Sequence, residues 1–143
     1  MKRGLLAALL VLPLLGSDSP KEYDDKVEVA GIEGTWQMVD ISDAGQKREP
    51  GVERCIQIFR GGKWSYSEAG RPSTAGTYTT DKTRVPAFLD ESYGTSLEEA
   101  RKYIYRIEGD TLRTAFRNAN EGERPTSFDE PRLYIMTWKR LAK

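Results

Sequence analysis

Histidine is absent from this chain and cysteine occurs once, as Cys55. Zinc centres of the usual thiolate and imidazole type need several such ligands, so neither a structural nor a catalytic zinc can be built here. The missing imidazole also removes the base from a Ser-His-Asp triad. One cysteine forms no internal disulfide, so a folded domain must be held together by its apolar core. A reactive Cys55 would need a cation beside it, and Arg54, its neighbour on a strand, points to the opposite face. Cys55 therefore reads as a small space filler. An excess of one charge is lacking too, because 22 Lys and Arg balance 22 Asp and Glu. No broad field steers a polyanion, and nucleic acid is not an expected partner. Asp24-Asp25 lies ahead of the folded domain and Asp90-Glu91 sits in no calcium-loop pattern, so no metal or cofactor is expected.

Long apolar runs are also scarce, the main one being Leu5 to Leu15. Its eleven residues are too few to span a bilayer as a helix. Lys2 and Arg3 precede it and the small Gly16 and Ser17 follow, which is the layout of a secretory signal peptide over 1–16. No cysteine ends the run to take a lipid. The expected product is secreted or periplasmic, with no stable membrane span after processing. Losing Lys2 and Arg3 takes the 22 basic residues to 20, against 22 acidic ones. Residues 17–31 are charged and poor in large apolar side chains, and read as a flexible leader. The folded domain is expected over 32–141.

What is present in that domain is a series of short segments with alternating polarity, divided by turn residues. The first strand is read as Gly34 to Ile41, with Trp36 and Met38 on one face and Thr35, Gln37, Val39 and Ile41 on the other. Val52 to Phe59 and Lys63 to Ser67 flank Gly61-Gly62, a tight hairpin turn because two residues without Cβ accept positive φ. Ala75 to Thr80 and Val85 to Leu89 follow. Pro86 lacks a ladder donor and argues for an edge or a bulged position in that fifth strand, with a barrel seam or a distorted patch there. Ser96 and Glu99 match a capping box, so Thr95 to Arg101 predicts at most two helical turns. Arg101 to Glu108, Thr111 to Phe116 and Leu133 to Arg140 complete eight strands. Eight short antiparallel strands in about 110 residues predict an all-β, up-and-down barrel whose closure hides its edges. Such a barrel is either packed solid or holds one small ligand.

The ends of the domain carry a resemblance. The opening Ile32-Glu33-Gly34-Thr35-Trp36, the Gly109 to Leu112 hairpin, the Gly122 to Phe128 stretch and the closing Lys139-Arg140 resemble a small secreted domain family of planctomycete-type bacteria. That family is in turn similar to lipocalins. The resemblance implies a lipocalin-like barrel closed by Trp36 under a cation from Arg140 or Lys139, and it implies no particular activity.

The expected function is that of a non-catalytic secreted barrel binding a small apolar or amphipathic ligand, or a protein partner. The alternative is a packed structural or envelope-associated domain without a small ligand. Trp64, Tyr66, Tyr103 and Tyr105 are candidate stacking residues, though period-two aromatics are commonly core. Arg124 is a candidate fork for an anion at the barrel mouth; its structural reading is a pair with Glu121 or Glu123 while Phe128 plugs one end. A carboxylate enzyme would need two titratable groups facing each other in a cleft, and none is expected.

Overall fold

The computed structural model describes residues 31–47, 51, 54–69, 71–93, 100–118 and 123–142. The signal segment 1–16, residues 17–30 of the leader and the body of the helical stretch (95–99) lie outside the described residues. Among the described residues there are nine strands: β1 (Gly34–Asp43), β2 (Gln46–Lys47), β3 (Cys55–Arg60), β4 (Lys63–Glu68), β5 (Thr74–Asp81), β6 (Ala87–Tyr93), β7 (Arg101–Glu108), β8 (Thr111–Phe116) and β9 (Tyr134–Arg140). β2 is a two-residue appendage on the end of β1. The other eight pair antiparallel in sequence order, and β1 also pairs with β9, so the sheet closes on itself. Closure satisfies the backbone groups that an open sheet would leave along its edges.

The seam is β1 against β9, with Trp36 opposite Arg140 and Met38 opposite Trp138. It does not fall at Pro86, which removes the seam from the alternatives expected there. The fifth barrel strand starts after that proline, as β6, and pairs with β7 from Ala87 and with β5 from Phe88. A proline is tolerated just ahead of a ladder because there its missing donor is not needed.

Alternation along the strands sends one set of side chains inward. Trp36, Phe59, Leu89, Leu112 and Trp138 are almost completely buried and fill the interior together with Met38, Trp64, Tyr103 and Tyr105. Trp138 donates through Nε1 to Thr114 Oγ1 at 3.2 Å, which satisfies its one polar atom in the core. The expected face assignment fails at one position. The β1–β9 register shifts between Met38 and Asp40, a bulge that leaves Val39 half exposed. One extra residue inverts the alternation beyond it, so Ile41 joins Met38 inside rather than lying on the opposite face.

A second, smaller apolar cluster lies around Ile104, Ala115 and Leu133, packed with Phe88, Phe128 and Ile135. On β7 and β8, Ile104 and Ala115 alternate with the inward Tyr103, Tyr105 and Thr114, so this cluster is on the outer wall. The described part of the β8–β9 connection, 123–133, covers it. Glu130 holds that connection together, accepting from Thr126 N at 2.7 Å and Ser127 N at 3.1 Å and pairing with Arg117. Phe128 thus seals the outside of the wall and does not plug an end.

Candidate functional site

One end of the barrel is closed by the chain that enters it. Ile32 is buried beneath the strands, and Trp36 donates through Nε1 to its carbonyl at 2.7 Å. The Arg140 guanidinium lies 4.1 Å from the Trp36 ring centroid. It donates to the carbonyls of Glu33 at 2.7 Å and Gly31 at 3.1 Å. A Cβ on Gly34 would stand 2.6 Å from Arg140 Nη1, and Gly34 has φ of 135°, so glycine at this point is what admits the guanidinium. Lys139, the other candidate cation, is exposed on the outer side of β9. Glu33 adds a further tie, accepting from Gly61 N at 3.1 Å. The ring of Phe59 meets Tyr78 edge to face at 5.0 Å. Large buried side chains fill this half of the interior.

The opposite half is not so filled. A half-open cavity of about 310 Å³ lies between the ends of β1, β3 to β5 and β9 and the facing parts of β6 to β8. Its walls are formed by Met38, Ile41, Trp64, Met136 and Trp138, with Tyr66, Tyr93, Tyr103 and Phe116 adding further rings. Four polar side chains also reach it: Gln57, Thr74, Glu91 and Arg101. Trp64 is positioned through the sheet itself, donating from Nε1 to the Ser92 carbonyl at 3.2 Å. That bond passes across β5 at Gly76, where a Cβ would stand 1.8 Å from the same carbonyl oxygen. Only glycine permits this approach.

Glu91 is the unusual member of the set. It is 3 % exposed, and Gln57 Nε2 donates to its Oε1 at 2.5 Å. Burial pushes its carboxyl up to about 7, against hydrogen bonds from Tyr103 and Gln57 and the charge of Arg101, which favour ionisation. Burial, with the Glu91 charge beside it, also holds the Tyr103 hydroxyl well above the usual tyrosine range, so that it remains a donor. Arg101 hydrogen-bonds Tyr103 and lies over two rings, Phe116 at 4.7 Å and Tyr93 at 5.7 Å. Two titratable groups therefore do meet inside the barrel, contrary to the sequence expectation. The alternation that carries Leu89 inward also carries Glu91, once β6 is seen to run on to Tyr93.

Of the residues singled out in the sequence, Trp64, Tyr66 and Tyr103 line this cavity. Tyr105 is buried deeper, opposite Ala87 and Thr114, and is not part of the lining. Arg124 lies on the outer wall. Its Nη1 donates to the Tyr103 carbonyl at 2.7 Å, its Nη2 pairs with Asp90 Oδ1 at 2.5 Å, and its guanidinium lies 4.1 Å from the Phe88 ring. The fork is thus used to fasten the β8–β9 connection to β6 and β7, with Asp90 and not Glu123 as the acid; Glu121, the other expected partner, lies outside the described residues. Cys55 is buried. Among the described residues no group of three or more acidic, His or Cys side chains could hold a metal, and no helix is long and apolar enough to cross a membrane. No family model matches the chain, and no significant similarity links it to a curated protein or to a solved structure.

Proposed function

We propose that the protein is a non-catalytic barrel that holds one small amphipathic molecule in the cavity at its open end. The observation that carries this reading is the contrast between the two halves of the interior. Large rings fill the closed half, whereas about 310 Å³ is left at the other, within the range of small-ligand sites. Aromatic and methionine walls suit an apolar body, and the Glu91, Gln57, Tyr103 and Arg101 group suits one polar end. A hydrolytic carboxylate pair needs two acids, and Glu91 is the one acid in the lining among the described residues. Export belongs to the same reading and is supported by Lys2, Arg3 and the apolar run that follows. Membership of the small secreted family of planctomycete-type bacteria is supported by the Gly34-Thr35-Trp36 opening and its Arg140 cation.

Native mass spectrometry of the protein purified from its own host tests the proposal. The expected spectrum contains a bound species on the order of a few hundred daltons, as befits a site of this size. An empty spectrum, together with no uptake of an environment-sensitive apolar dye, would favour a packed structural domain and overturn the proposal.

A further inference from the structure

We infer that the cavity is built for an organic cation, a compact aromatic or apolar body whose ammonium group sits against Glu91. This deepens the binding role proposed above and rests on it. Glu91 is 3 % exposed, faces the cavity and is its one acid among the described residues. An ionised carboxylate at such a depth costs several kcal/mol unless charge is supplied to match it. Gln57 and Tyr103 supply dipoles only. Arg101 is half buried at the mouth and already lies on Phe116 and Tyr93 and bonds Tyr103. These partners do not offset the burial, since the carboxyl is still pushed up to about 7. The Arg101 charge thus matches the Glu91 carboxylate incompletely, and a cationic ligand seated against Glu91 would complete the match.

The walls favour the same class. Ring faces attract cations, and the stacking of Arg101 on Phe116 at 4.7 Å shows these rings doing so at this mouth. Trp64, Tyr66 and Trp138 offer further ring surface to a guest. An anionic guest would instead face the Glu91 charge where screening is weakest, while Arg101 nearer the solvent would be the more screened partner.

The groups around Glu91 come from several strands. Arg101 and Tyr103 face it from β7, Gln57 and Cys55 lie on the inner side of β3, Tyr66 on β4 and Tyr93 on β6. Tyr78 is beside it in register on β5, with its hydroxyl turned to Glu33. β1 and β9 contribute only Met38, Ile41, Met136 and Trp138.

Titration calorimetry on the purified protein with three probes of one shape provides the test: phenethylammonium, 2-phenylethanol and 3-phenylpropanoate. Phenethylammonium is expected to bind at least about tenfold more tightly than either of the others, the ratio set by one buried charge pair. Its own amine stays protonated below pH 8. Its affinity should rise about tenfold from pH 6 to pH 8 as Glu91 ionises, and at pH 7 about half a proton should be released per cation bound. Glu91→Gln should abolish the preference and flatten the pH profile. Should that variant fold poorly, the probe ranking and the proton release of the unaltered protein decide alone. A preference for the carboxylate, equal binding of the alcohol, or a preference retained in Glu91→Gln would overturn the cation inference and leave the binding role standing. Failure of all three probes to bind would overturn both.

Discussion

Trp36 shows how much one side chain can hold in a small domain. Its ring is fully buried, its Nε1 is bonded to Ile32, and its face carries Arg140. Replacement by Ala removes the ring and leaves a hole that rigid strands cannot close, so a loss of about 3 to 5 kcal/mol is expected in urea unfolding. Glu91 predicts a different signature. Its carboxyl is raised from 4.5 to about 7 on folding, so the native state binds more protons than the unfolded chain between those values. The associated stability is present in full below the unfolded value and is lost as pH rises through 7. Unfolding free energies from urea titrations at pH 5 and pH 8 should differ by on the order of 3 kcal/mol, and Glu91→Gln should remove most of that difference. Trp36 and Arg140 were legible in the sequence because each stands at a strand end with period-two neighbours. Glu91 was not, because the alternating pattern of the fifth strand reads only as far as Leu89 and only the β6 pairing shows the strand continuing through Asp90 and Glu91.

At the scale of elements, two features set the geometry of the open end. The Val39 bulge turns Ile41 into the cavity, and Gly76 lets β4, β5 and β6 come close enough for Trp64 to bond the Ser92 carbonyl. A methyl group on Gly76 would meet backbone, which cannot swing aside as a side chain can. Gly76→Ala is therefore expected to cost roughly 2 to 3 kcal/mol and to lower the melting temperature by about 10 °C or more in a scanning calorimeter. A change below about 0.5 kcal/mol would show that β5 and β6 can separate at no cost. Neither feature could be read from residue order. A bulge is a difference in length between two paired strands, and β9 lies about a hundred residues from β1.

For the molecule as a whole, the closed half and the cavity half have different tolerances. Met136 is half-buried at the cavity wall, so Met136→Trp can grow into empty space without displacing packed neighbours. It is expected to change stability by less than about 1 kcal/mol while reducing phenethylammonium affinity at least tenfold, as read by calorimetry. The same enlargement at Leu112, which is fully buried in the closed half, should cost about 1 to 3 kcal/mol or more. If Met136→Trp binds the probe as tightly as the unaltered protein, the cavity is not where the ligand sits.

The sequence by itself determined the architecture. Alternating polarity, glycine turns and the spacing of eight strands leave a closed antiparallel barrel as the arrangement that buries one face and pairs every edge. Tertiary structure alone decided what the interior does. Whether Tyr105 fills a core or lines a cavity, whether Arg124 meets a ligand or Asp90, and whether Glu91 is solvated or enclosed depend on which strand ends converge. Local pattern assigns a side chain to one of two faces. The depth at which that face meets the opposite wall is a property of the closed sheet, and it sets the desolvation that distinguishes an ordinary surface acid from the buried carboxyl at this site.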